Sequence, residues 1–125
     1  MNKLSLALEN WKTKGKLDMN KDLAQATKDY FIYCFDNQQF DGVNWTTEGK
    51  DYHELVNSGT LENDVHNSII NYNENGFSVL IDNDYAIYQN FGTDRLPARP
   101  FFGECNELNE ILNAIMAKHI KDIFN

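Results

Sequence analysis

The residues of this sequence best suited to metal or proton chemistry are its three histidines, His53, His66 and His119. No two of them stand at ligand spacing on a common element, so a zinc centre is not expected. Asp82-Asn83-Asp84 resembles the opening of a calcium loop. However, Ile87 stands where the sixth-position glycine is required and Thr93 where the closing glutamate should be. A polar turn remains. Nucleophilic catalysis needs a serine or cysteine beside an activating base, and neither a Gly-x-Ser-x-Gly elbow nor a cysteine–histidine signature occurs. Gly42, Gly49, Gly59, Gly76, Gly92 and Gly103 stand singly, which leaves no phosphate-cradling loop. The 19 acidic residues read as solvated surface rather than as paired acid and base. Cys34 and Cys105 form no Cys-x-x-Cys pair and are expected as reduced, buried thiols. The chain is therefore expected to be no enzyme and to carry no metal and no cofactor.

Composition narrows the partners. The net charge of −8 is unevenly distributed: residues 1–50 hold seven lysines and seven acids, whereas residues 51–125 hold four basic residues against twelve acids. Gripping DNA requires a basic surface that displaces counterions from phosphates, so tight nucleic-acid binding is not expected, although DNA could slide past an acidic wall. The apolar run Phe31-Ile32-Tyr33-Cys34-Phe35 is far shorter than the roughly 20 residues of a bilayer-spanning helix. Asn10, Trp11 and Lys12 interrupt the first apolar stretch, so no signal peptide is expected either. With 42% hydrophobic and 13% aromatic residues, 125 residues suffice for one folded domain.

The elements that would position any site follow from spacing. Residues 1–18 mix leucines with lysines and Gly15 and read as an extended N-terminal arm. From about Asn20 to Asn37, Leu23, Ala26, Thr27, Tyr30, Phe31, Cys34 and Phe35 recur every three or four residues, which predicts a helix capped by Asn20 or Asp18. Asp41-Gly42 suits a tight turn, and Phe40 and Trp45 beside it should pin that loop to the core. Asn57-Ser58-Gly59-Thr60 offers capping groups to a short helix containing Leu61 and Val65. Residues 68–72 and 77–81 predict a β-hairpin whose Asn75-Gly76 would take positive φ in the turn. Tyr85, Tyr88 and Phe91, followed by Gly92, suggest a short helix, and two prolines keep residues 93–103 irregular. From about Asn106, Leu108, Ile111, Leu112, Ile115, Met116, His119 and Ile123 mark one face of a final helix. The fold class is α+β, a small single domain in which an N-terminal helix and a long C-terminal helix pack an antiparallel sheet. The Leu108–Ile115 face is expected to cover the hairpin.

Residues 85–103, YAIYQNFGTDRLPARPFFG, strongly resemble the signature of the phage virion morphogenesis, or tail-completion, family. The resemblance is carried by Tyr85-Ala86, Phe91-Gly92, Pro97-Ala98-Arg99-Pro100-Phe101 and Phe102-Gly103. Upstream, Gln39-Phe40-Asp41-Gly42 with Trp45, and Asn57-Ser58-Gly59-Thr60-Leu61 with Ser68-Ile69, are similar to further segments of that family in the same order. The likeness covers roughly residues 20–125, and the N-terminal arm and the asparagine-rich, acidic middle depart from it.

The resemblance implies a small α+β structural protein that forms a ring at the head–tail junction of a tailed bacteriophage or prophage, without a cofactor. Its partners would be further copies of itself, expected as a hexamer, and adjacent neck or tail proteins, with DNA at most passing through the lumen and no membrane. It would assemble in the bacterial host cytoplasm and end in the virion. A tail-terminator or head-closure protein is the alternative within the particle, and a small prophage hydrolase the alternative outside that class. Arg95 and Arg99, the chain's only arginines, share a proline-stiffened loop and could meet carboxylates of a neighbouring subunit, while Phe101 and Phe102 could equally plug their own core.

Overall fold

The computed structural model describes residues 2–45, 59–94 and 97–124. Asn2 begins the first helix, α1 (Lys3–Asn10), by accepting the Ser5 N–H at 2.8 Å. A π-helical turn, Trp11–Gly15, carries the chain directly into α2 (Lys16–Asn37). The expected extended arm is thus helical. Gly15 does not break the helix because it lies under the Trp11 indole, where a Cβ would come within 2.6 Å of the ring. With the helix already running at Asn20, this residue has no cap to supply. Its buried amide instead donates to the Asn73 carbonyl at 2.8 Å.

Gln38, in the left-handed region at φ 55°, ends α2. The strands β1 (Gln39–Phe40) and β2 (Val43–Asn44) then pair around Asp41 and Gly42, both with positive φ as a tight hairpin turn requires. Helix α3 (Gly59–His66) buries Leu61 and Val65 on the anticipated face, while the capping residues expected at 57 and 58 lie outside the described residues. Strands β3 (Ile69–Asn73) and β4 (Gly76–Leu80) form the second hairpin. Its turn sits one residue earlier than expected, at Glu74-Asn75, and Gly76 already belongs to β4 without positive φ. The Asn73 carboxamide oxygen closes this turn by accepting the N–H groups of Asn75 and Gly76 at 2.7 and 3.1 Å. The chain continues through α4 (Ala86–Phe91) and ends in α5 (Asn106–Ile123).

Helix α2 organises the α+β fold. Asn20, Leu23, Ala24, Thr27, Tyr30, Phe31, Cys34 and Phe35 form a buried stripe wide enough to face more than one partner. The β3–β4 hairpin packs along it, α5 packs beside it and α3 contacts it as well. The expectation that α5 would cover the hairpin is therefore corrected, because α2 stands as the central layer against which both pack. Only Leu108 of α5 is fully enclosed, while Leu112 joins the margin of the core and Ile111 is partly exposed. The hairpin keeps its period of two: the Ile70–Val79 pair is half-buried, and the Ile69–Leu80 pair is open to solvent.

Candidate functional site

The signature segment divides into an inner and an outer surface. Helix α4 turns Ala86, Gln89 and Asn90 inward. The Asn90 carboxamide oxygen accepts the N–H groups of Phe101 and Phe102 at 2.8 and 3.1 Å, and the Gln89 carbonyl accepts that of Arg99 at 2.8 Å. From the other side the Trp45 indole N–H donates to the Pro100 carbonyl at 2.7 Å. Phe101 is fully buried against Phe35 and Phe102, with ring centroids 5.2 and 5.0 Å away. Gly92, at φ 75°, ends α4, and Gly103, at φ 122°, lets the chain turn before α5. Pro97 and Pro100 are half-buried and Ala98 is exposed.

Arg99 lies fully buried within its own chain. This corrects the expectation that it would reach a neighbouring subunit, since a guanidinium enclosed by its own fold has no face left for another molecule. Arg95 lies outside the described residues. Phe101 likewise belongs to the core, and Phe102 packs at its margin.

The outer surface was not foreseen. Tyr85, just before the six-residue α4, and Ile87, Tyr88 and Phe91 on it are 63%, 61%, 52% and 70% exposed. The three-residue spacing of Tyr85, Tyr88 and Phe91 was read as a helix, and the face that packs inward is the polar one, where the Asn90 side chain and the Gln89 backbone carbonyl hold the segment 99–102. The helix is rigidly mounted and presents its bulky apolar side chains to solvent. Phe102 braces Phe91 edge-on at 6.1 Å.

A second polar cluster holds the start of α5. The Tyr30 hydroxyl donates to the Glu107 carboxylate at 2.8 Å and accepts from the Asp41 N–H at 3.1 Å and the Cys105 thiol at 3.3 Å. Asp41 in turn accepts the Glu107 N–H at 2.9 Å, so a turn remote in sequence caps α5. Burial raises the Tyr30 phenol well above its usual range, with bonds to Cys105, Cys34 and Glu107 adding to the effect. Burial likewise pushes the Cys34 thiol from 9.0 up to about 11. Both groups are held neutral, which suits a structural network rather than a nucleophile.

The pH dependence follows from that shift. Below pH 9 the Cys34 thiol is protonated in folded and unfolded chains alike; between 9 and about 11 the unfolded chain releases the proton and the folded chain keeps it. Stability should therefore fall as pH rises through this window. The urea midpoint is expected to decline above about pH 9, and Cys34 should resist alkylation near pH 8 until the chain is unfolded. Equally fast labelling of native and unfolded protein would show that the thiol is not enclosed.

Among the described residues, one donor atom from each of Asp36, Glu62 and His66 lies within 4.8 Å of the others. The trio holds a single histidine, so paired-histidine spacing does not mark it; the i, i+4 spacing of Glu62 and His66 is its one local signal. Asp82-Asn83-Asp84 is a polar turn: the Asn83 side chain accepts the Tyr85 N–H at 2.8 Å and donates to Asp64 at 2.9 Å. No helix among the described residues is long and apolar enough to cross a membrane. Comparison with models of protein families, with curated proteins and with solved structures found no match.

Proposed function

We propose that this chain is a structural subunit of a tailed-phage virion, acting in tail completion or at the neck as a ring of copies at the head–tail junction, without catalysis. The exposed ridge Tyr85, Ile87, Tyr88 and Phe91 carries the reading. Four bulky, largely apolar side chains on one short helix and its first flanking residue mark a surface suited to a partner, and tyrosine is among the residues that contribute most when an interface closes. Because α4 is anchored by Ala86, Gln89 and Asn90, docking loses little conformational entropy. In a ring this ridge would meet a different patch of the next copy, as a head-to-tail contact requires. The remaining contacts would go to neighbouring neck or tail proteins, and the acidic excess of residues 51–125 would leave passing DNA unbound.

The test replaces Tyr85, Tyr88 and Phe91 together by Ser. The variant should keep the parent's circular dichroism spectrum and Tm, lose self-association in sedimentation, and fail to complement a phage lacking this protein, leaving tails unjoined or unfinished. Normal yields of infectious particles from the triple variant would sink the proposal.

A further inference from the structure

We propose that Asp36, Glu62 and His66 form a binding site for a first-row divalent cation, zinc before others. Helix α3 is fixed against α2 by Leu61 and Val65, both fully enclosed. The residues following these two in sequence, Glu62 and His66, are one turn apart on the same side of α3. Asp36 comes from the last turn of α2. Packing of the apolar pair therefore sets the three ligands at one rim, where the His66 Nε2 lies 2.7 Å from the Asp36 carboxylate.

An exposed aspartate–histidine pair alone would be unremarkable and would contribute little. Glu62 is what such a pair does not explain. A second carboxylate within 4.8 Å of the first adds like-charge repulsion, and a protonated imidazole would offset only one of the two negative charges. A dication bound by a neutral imidazole and two carboxylates balances both. The negative end of the α2 dipole reinforces the negative potential beside Asp36.

Ligand type and reach select the ion. Metal–ligand bonds of about 2.0–2.2 Å place donor atoms roughly 3–4 Å apart. The short Asp36–His66 edge would open slightly and the edge to Glu62 would close, which exposed side chains can do by small rotations. An imidazole nitrogen disfavours magnesium and calcium, which take oxygen ligands, and the absence of a thiolate from the trio disfavours copper(I). With three protein ligands, the remaining coordination positions would hold water. The ion would tie the end of α2 to α3 and would stabilise the fold because it binds the docked helices and not the unfolded chain.

The experiment titrates Zn²⁺ into the purified, chelator-treated full chain and follows heat of binding and Tm. One equivalent should bind, and a free concentration ~100-fold above Kd should raise Tm by several degrees, with Mg²⁺ at the same concentration having no effect. His66→Ala and the double variant Asp36→Asn, Glu62→Gln should abolish the shift. His119→Ala should retain it, although His119 also faces a carboxylate, that of Asp22, at 2.7 Å. Co²⁺ supplies a reading independent of stability: its visible absorption should intensify with the parent and stay that of the aqueous ion with His66→Gln. No Tm shift with Zn²⁺, a shift that survives loss of the trio, or one that disappears with His119→Ala would each overturn the assignment.

Discussion

Phe101→Ala is expected to lower stability by about 3–5 kcal/mol, a large share of the roughly 5–15 kcal/mol that holds a domain of this size together. The ring is fully buried and contacts Phe35 and Phe102 edge-on, so truncation removes apolar area and leaves a cavity between α2 and the 97–103 segment. The surroundings cannot easily collapse into it. Asn90 holds the Phe101 backbone on one side, and the Trp45 indole holds Pro100 on the other. Urea unfolding followed by circular dichroism measures the loss, and Phe101→Leu should recover part of it. A change under about 1 kcal/mol would mean that the signature segment is not part of the core.

Arg99→Ala should be comparably severe, about 3–5 kcal/mol, because it empties a fully enclosed site. Arg99→Lys should not restore the parent, since a lysine ammonium cannot reproduce a planar fork of donors. The informative companion is Arg99→Met, which keeps much of the volume and removes the charge. If it is far less damaging than the alanine, volume dominates; if equally damaging, the donors do. An alanine variant with unchanged urea midpoint would contradict the buried placement. A double replacement of Arg95 and Arg99 would confuse folding with assembly, which is why the assembly test uses the exposed ridge of α4.

Helical periodicity was the most legible feature of the sequence. Leu23 to Phe35 gave the buried stripe of α2, Leu61 with Val65 gave the inward face of α3, and Leu108 to Ile123 gave α5 its span. The Asp41-Gly42 turn and the anchoring role of Trp45 were also readable, because positive φ and paired aromatics leave local signals. Layer order was not readable: a wide stripe on α2 can serve two partners, and spacing alone does not say which neighbours share it. The helical start of the chain was hidden because leucine alternation and Gly15 argue against a helix, whereas continuity with α2 and the Asn2 cap favour it.

At the candidate site the residues were found more readily than their directions. Tyr88 and Phe91 lie on the short helix that the spacing suggested, with Tyr85 just before it, but the spacing did not say that Gln89 and Asn90 would take the inward face. Arg99 was read as a surface residue because arginine usually is one, and its burial depends on contacts no local pattern encodes. The Asp36, Glu62 and His66 trio needs α2 and α3 to be docked before it exists.

The central position of α2 also has a consequence for the order in which the protein is made. A ribosome releases α2 before any of the segments that cover it, and at about 5–20 residues per second the interval from Phe35 to Leu108 lasts roughly 4–15 s. Through that interval the stripe from Leu23 to Phe35 gains its native partners only one after another. Helix α3 and then the β3–β4 hairpin can shield part of it, but the remainder waits for α5. During synthesis on neighbouring ribosomes, α2 is thus the segment most exposed to chaperones and to premature pairing with the hairpin or final helix of another nascent copy. A subunit destined to meet many identical copies would have to finish this internal closure before encountering them.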